Sequence, residues 1–310
     1  MVIIEIIFAI FSGISQLAQI VLVIVILRHK ELRSGSFYIL NVALACTDIG
    51  TILSHYLFQR FPQMGILIDE FYLHSGSHSV YAEICTNGFS FFKALQKYFL
   101  VAIGVNRFMA IVLPHIYEWW TPRNTVTVIF AVALISALPH AVIAFITRSY
   151  YMPNGNGGLQ CLMDSTEVFA IHMDYMIYQP AFAAVVLLTM NAAIFVVLIN
   201  NRKKIKASQQ DNLKRHLVEI KLVLVVAVHV VLLLADCVVG IYTFLKMRPE
   251  MMMFIFIIQD VLCGCNPYLL LLFSSDIRRR VFGFMKAFKT HDTMMVATVS
   301  TIQTKPSHSR

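Results

Sequence analysis

The chain has 310 residues, 58% of them hydrophobic and only 14% charged, with a formal net charge of +8 and a mean hydropathy of +0.71. Soluble domains carry about 25% charged residues, so this composition belongs in lipid and leaves no room for a soluble catalytic domain. The positive balance needs no nucleic-acid partner. It fits cations placed on one side of a membrane and drawn to membrane lipids with anionic heads.

A bilayer core of ~30 Å takes about 20 apolar residues per helix. Seven such stretches stand at about 3–27, 37–58, 84–112, 124–147, 171–199, 217–245 and 251–274. They are too long for strands, and no alternating ten-residue pattern suggests a barrel. The predicted fold is an all-α membrane protein, a seven-transmembrane helix bundle occupying residues 1–289.

The first stretch lacks a basic leader, carries Glu5 and is followed by Arg28, His29 and Lys30. That is the pattern of a retained signal-anchor, not of a cleaved peptide. Of the 25 Lys and Arg, 19 fall on the side of the 28–36, 113–123 and 200–216 connections and the carboxyl end. Arg60, Arg148, Lys246 and Arg248 fall opposite. The positive-inside rule predicts an outer amino terminus and a cytoplasmic carboxyl terminus. The 200–216 connection is expected to extend the fifth and sixth helices as polar turns.

In the second stretch Asn41 and Asp48 lie two turns apart on one face. The third carries Cys85 at its outer start, Lys93, Gln96 and Lys97 within, and Asn106-Arg107-Phe108 at its inner end, followed by Pro114. A charge at mid-membrane is penalised by at least ~2.5 kcal/mol, so Lys93 and Lys97 must face the interior or a wet cavity. Asp236 in the sixth stretch and Asp260 in the seventh are the candidate counter-ions. Together with Gln96 they predict either a pocket for a polar or acidic small molecule or an internal ion pair holding the bundle closed. Arg107, at the mouth of its helix, likewise faces protein or water.

The outer connection at 60–82 is aromatic and His-rich (Phe71, Tyr72, His74, His78). The one at 148–170 contains Pro153-Asn154-Gly155-Asn156-Gly157-Gly158, a run that demands positive φ and tight turns. It also holds Cys161, which shares the oxidising side with Cys85. A bridge between them would pin this loop over the bundle mouth; two free thiols is the alternative. Cys46, Cys237, Cys263 and Cys265 sit in apolar context and read as packing.

In the seventh stretch Asn266-Pro267 interrupts the backbone ladder and frees a carbonyl. With Asn41 and Asp48 it predicts a hydrated hinge, with room for a sodium ion near Asp48, or simply interhelical hydrogen bonds. No cofactor is otherwise expected. His55, His140, His172 and His229 lack the paired spacing of a stacked two-haem site and read as satisfied interior histidines. Beyond the seventh stretch, Ile277, Val281, Phe284 or Met285, and Phe288 recur at helical spacing beside Arg278-Arg279-Arg280. They predict an interfacial helix over 276–289, followed by a disordered Ser/Thr-rich tail over 290–310.

In chain order, Leu44-Ala45-x-x-Asp48, Cys85, Arg107 with Pro114, Cys161, Pro180 and Asn266-Pro267 resemble a rhodopsin-like G-protein-coupled receptor across nearly the whole chain. More narrowly, Phe61-Pro62, Asn106-Arg107-Phe108, Trp119-Trp120 and Asn266-Pro267-Tyr268 are similar to nematode serpentine chemoreceptors of the Srv-like group. The resemblance implies a small odorant or metabolite bound among the helices and no enzymatic activity. It implies a heterotrimeric G protein docked on Arg107, the second inner loop and the 200–216 segment. It also implies an arrestin on a phosphorylated tail, and residence in the plasma membrane, sensory cilia included.

The sequence departs from the receptor pattern in four places, the first being the 22-residue interval from Cys85 to Arg107, nearly a turn shorter than the common spacing. The usual acidic residue before the helix-three arginine is Asn106, the sixth stretch has no Trp-x-Pro, and Tyr268 directly follows the proline. Glu219 is then the candidate partner of Arg107 in a closed-state lock, with Arg215 one turn back competing for it. A transporter would need interrupted helices in both of two repeated halves, and only the Asn266-Pro267 break is found. An insect-type seven-helix channel would put its amino terminus inside, contrary to the loop charges.

Overall fold

The computed structural model describes residues 2–66, 68, 72, 80–155, 157–204, 210–246 and 252–284. Side chains are described over 4–66, 68, 72, 80–155, 157–200, 223–243 and 253–284. Seven long helices carry spans apolar and long enough to cross a membrane. They are α1 (Val2–Arg28), α2 (Ser36–His55), α3 (Phe89–Val112), α4 (Pro122–Ile146), α5 (Thr166–Lys204), α6 (Gln210–Lys246) and α7 (Met252–Phe273). The seven-transmembrane bundle expected from hydropathy is what forms.

Large apolar side chains face outward along α1, α4 and α5, with Phe145 at 92% exposure. A patch of that kind on a water-soluble protein would drive association; around a bundle in lipid it is the outer wall. Inside, one continuous core joins Leu22 and Ile26 of α1, Leu40 and Leu44 of α2, Phe99 and Ile103 of α3, Leu187 of α5, Leu233 of α6 and Leu270 of α7. Helix α3 is the central post and packs against α2, α4 and α5.

Two helices outlast their apolar stretches. After His55, α2 continues through a π-helical turn, Tyr56–Arg60, and a last turn, Phe61–Gln63, opened by Pro62. Arg60, expected in the outer loop, is therefore carried into the bundle at 3% exposure. On α3, the turn Val80–Glu83 and a π-helical turn, Ile84–Gly88, precede Phe89 and bury Cys85. Single π turns of this sort mark functional sites often enough to point here.

Between α4 and α5 the chain forms a β-hairpin, a finding the turn-rich sequence did not predict. Strands β1 (Ser149–Pro153) and β2 (Leu159–Met163) pair antiparallel with Tyr151 opposite Cys161. The expected positive φ is found at Gly155 (76°) and Gly157 (80°). Phe71, His74 and His78 of the 60–82 connection lie outside the described residues.

At the end of the bundle that carries Arg107, α5 runs to Lys204 and α6 starts at Gln210, extending both helices into the 200–216 segment as expected. The Glu219 side chain lies outside the described residues, and with it the proposed lock on Arg107. A final helix, α8, spans 275–284. Its Ile277 and Val281 are buried in the bundle core with Phe284 packed alongside. The Arg28 guanidinium lies 5.9 Å over the Phe284 ring, and Arg280 pairs with Glu31. The apolar stripe predicted for this helix thus faces the bundle. The remainder of the 276–289 helix and the whole 290–310 tail lie outside the described residues.

Candidate functional site

Four residues per turn-and-a-bit stack Lys93 above Lys97 on one face of α3. Both ammonium groups converge on one carboxylate. Lys93 Nζ is 3.6 Å from Asp236 Oδ1 and Lys97 Nζ is 3.4 Å from Asp236 Oδ2. All three side chains are buried, Lys97 completely. The Lys93 ammonium also sits 5.6 Å over the Phe89 ring. The pairing expected for Asp236 is therefore found, and it ties α3 to α6 deep in the membrane.

Asp260 takes a different partner from the one expected. Its Oδ2 accepts from Arg60 Nη2 at 3.0 Å and from the Tyr56 hydroxyl at 3.1 Å. Neither lysine is its counter-ion. Arg60 lies between the Tyr56 and Phe256 rings at 4.9 and 5.4 Å and donates from Nε to His55 Nε2 at 2.8 Å. The extra turns of α2 bring Arg60 down to α7; read as a loop cation, it gave no reason to suspect this pair.

Below these ion pairs lies an amide layer. Asp48 accepts from Gln19 Nε2 at 3.2 Å and from Gln96 Nε2. Gln259 donates to Gln96 Oε1 at 2.8 Å and to Cys263 Sγ at 3.2 Å. All of these are buried. Gln96 thus belongs with Asp48 and not with the lysines. Gln19 and Gln259 were not expected here, although Ser12, Ser15 and Gln19 recur at helical spacing and are all buried, and Gln259 adjoins Asp260. Both oxygens of Asp48 receive N–H donors; a sodium ion there would require Gln19 and Gln96 to turn their amide oxygens inward.

The predicted hinge is split between two levels. Asn41 and Asn266 line a small cavity of about 10 Å³ with His229, one level away from the Asp48 layer. Asn41 Nδ2 donates to the Phe37 carbonyl at 2.8 Å. Both polar atoms of the Asn266 side chain are without hydrogen-bond partners among the described residues. Pro267 stands inside α7, and Tyr268 stacks on Phe11 of α1 at 6.3 Å.

At the far end of α3 from Cys85, Asn106 faces α2 and donates to Ser36 Oγ at 2.9 Å, which in turn meets the Tyr117 hydroxyl at 3.2 Å. The Arg107 guanidinium lies 3.7 Å over the Phe37 ring. An aromatic face on α2 thus lies beneath the arginine, next to Asn106. Pro114 starts the turn Pro114–Tyr117 that ends α3. Phe108, Ile111 and Val112 pack against Ile194 and Leu198 of α5 and Val223 of α6, closing this end of the bundle.

The hairpin is docked over the opposite mouth. Glu83 accepts the Ser149 N–H at 2.8 Å, and the Tyr151 hydroxyl donates to the Phe58 carbonyl at 2.6 Å. Cys85 and Cys161 stand as neighbouring thiols. Hydrogen bonding from Cys85, with help from Thr86, holds the Cys161 thiol below its ordinary pKa. Burial pushes the Tyr72 phenol up to about 12 and raises Tyr151 as well. Next to the hairpin, His172 meets Ser90 Oγ at 2.9 Å, 5.9 Å from the His140 ring. Among the described residues no group of three or more His, Cys, Asp and Glu is placed to hold a metal ion.

Charges sealed inside seven helices with apolar outer walls, a hairpin docked over one end and an apolar cluster closing the other, define a multi-pass membrane protein of the serpentine class. The match to the family described as serpentine type 7TM GPCR chemoreceptor Srv runs over residues 8–287, and the chain belongs to that family. Serpentine receptor class V-1 of Caenorhabditis elegans is 24% identical over 286 residues, covering 87% of this chain and 88% of that protein. The family is one of receptors, not of enzymes.

Proposed function

We propose that this chain is a chemosensory G-protein-coupled receptor of the plasma membrane, with its amino terminus outside. Its small-molecule ligand acts on Lys93, Lys97 and Asp236. The observation that carries this reading is the single carboxylate shared by two buried ammonium groups, bridging α3 to α6. Buried ion pairs contribute little net stability against an apolar replacement, yet breaking one is strongly unfavourable. A ligand with a carboxylate or similarly strong acceptor competes with Asp236 for the two lysines. Once Asp236 is displaced, α6 loses its tie to α3, and the ligand favours the state in which α6 has moved.

Movement of α6 withdraws Val223 from Phe108, Ile111 and Val112 and opens the gate around Arg107. A heterotrimeric G protein then docks on Arg107, the Pro114–Tyr117 turn and the basic 200–216 segment. An arrestin recruited by the phosphorylated tail ends the response. Residence in sensory cilia suits a receptor of this family. A bridge between Cys85 and Cys161, formed on the oxidising side, fastens the hairpin over the ligand.

The test is a calcium or cyclic-nucleotide reporter in cells expressing the receptor, screened with small acids and their neutral esters. The expected result is a response to an acid that Arg107→Ala and Lys93→Ala both abolish at equal surface expression. A response that survives Arg107→Ala refutes G-protein coupling through this gate. An amino-terminal tag reached only after permeabilisation removes the receptor orientation. Ligand uptake without nucleotide exchange favours a transporter.

A further inference from the structure

A groove at the inner end of the bundle, between α1, α2 and α4, takes no part in the machinery above. It is a trench of about 430 Å³ open along one side, within the size range of sites that hold one small molecule. Ile26 and Leu27 of α1, Ile39 and Val42 of α2 and Val126 of α4 form its walls. Its mouth carries Lys30 and Arg33, three apart on one helical turn and both exposed.

Neither cation has an ion-pair partner among the described residues; the acid between them, Glu31, is paired with Arg280. Helix α4 begins at Pro122 on the same rim, and a helix N-terminus adds partial positive charge. An apolar trench with a doubly basic mouth excludes a simple anion, which would leave the walls bare, and a neutral lipid, which would leave the cations unused. It fits a molecule with an anionic head and an apolar chain. Clusters of Lys and Arg at the cytoplasmic edge of membrane helices attract anionic lipid heads.

We propose that this groove binds one anionic glycerophospholipid of the cytoplasmic leaflet. Its phosphate lies between Lys30 and Arg33, and one acyl chain lies along Ile26, Ile39, Val42 and Val126. The choice of leaflet rests on the orientation proposed above; the site itself does not. A bound chain here also braces α4, which otherwise turns most of its surface outward, against α1 and α2.

Native mass spectrometry of the full-length receptor in detergent tests this, with phosphatidylserine and phosphatidylcholine of identical acyl chains. Two cations near a lipid surface contribute about a 5-fold preference each, so phosphatidylserine should be retained about 25-fold more tightly. The double substitution Lys30→Gln/Arg33→Gln should bring it to the phosphatidylcholine level. Val126→Trp, at an exposed position, should displace the tight adduct while leaving the melting temperature of the lipid-free receptor unchanged, and added phosphatidylserine should raise that temperature only in the unaltered protein. Equal retention of the two lipids by the unaltered protein overturns the proposal. So does a preference that survives Lys30→Gln/Arg33→Gln, or an adduct untouched by Val126→Trp. A reversed orientation in the tag experiment would leave these readings intact and move only the leaflet.

Discussion

Replacing Asp236 with Asn tests the tie between α3 and α6. The substitution keeps shape and hydrogen-bonding capacity but removes the charge that Lys93 and Lys97 share at 3.6 and 3.4 Å. At such separations each contact contributes about 4 kcal/mol of attraction at an effective dielectric of about 20. Desolvation of each ion opposes it by several kcal/mol. The net penalty for breaking a buried pair is about 3–5 kcal/mol, here aggravated by two like charges one turn apart. That penalty falls on the closed state, where the lysines are sealed, and falls less where an opened α6 admits water. If about 1.4 kcal/mol of it distinguishes the two states, the closed-to-open ratio shifts tenfold. Ligand-free signalling by Asp236→Asn, normalised to surface receptor in the reporter assay, should therefore rise about tenfold. Asp236→Asn/Lys97→Met, which removes one orphaned cation as well, should recover much of the lost thermal stability. Basal signalling equal to that of the unaltered receptor, with Asp236→Asn folded and at the surface, refutes the reasoning.

Three further outcomes follow from the geometry. Arg60→Gln strands the Asp260 carboxylate and should lower unfolding stability in detergent by about 3–5 kcal/mol, whereas Arg60→Met/Asp260→Leu should recover most of that loss. At Gly158 an added Cβ would overlap the Gln63 carbonyl. Gly158→Ala should therefore cost about 1–3 kcal/mol and speed hydrogen exchange in β1 and β2. If Cys85 and Cys161 are joined, peptide mapping without reductant should recover the linked pair, and reduction should cost about 2–4 kcal/mol that Cys161→Ser does not lose further. Once reduced, Cys161 has its pKa lowered chiefly by Cys85. Its thiolate then forms at lower pH than that of an ordinary cysteine, so its alkylation rate should rise earlier along a pH series.

The helices were legible because lipid imposes one rule: about 20 apolar residues in a row, with the backbone satisfied internally. The Lys93–Lys97–Asp236 cluster was legible for a related reason. A buried ammonium needs an anion, and the sixth stretch offers one acid at mid-depth. The same logic mispaired Asp260, because hydropathy ends α2 near residue 58 and leaves Arg60 in water. The π turn at Tyr56–Arg60 lengthens the helix past its apolar run and turns Arg60 inward. Gln19 did leave a signal, a polar stripe of Ser12, Ser15 and Gln19 at helical spacing that turns out to be buried, but that stripe does not say which partner on another helix it meets. The hairpin did leave a trace. Its turn was marked by the Asn154-to-Gly158 run, but the inward Ser149 and Tyr151 with Tyr150 between them are a burial pattern that only the fold shows, since Ser-Tyr-Tyr-Met-Pro carries no apolar–polar alternation. At the gate, Asn106 signalled that an acidic neighbour was missing, but nothing in the local pattern pointed to Phe37 as the group beneath Arg107.

Nucleotide exchange on a purified heterotrimeric G protein, driven by the receptor reconstituted in lipid and challenged with an acidic agonist, tests the central claim most directly. The expected result is agonist-dependent exchange that Lys97→Met and Arg107→Ala each abolish, the first by losing the agonist and the second by losing the G protein. Agonist binding that leaves exchange at its basal rate, or exchange that persists in Arg107→Ala, would contradict it.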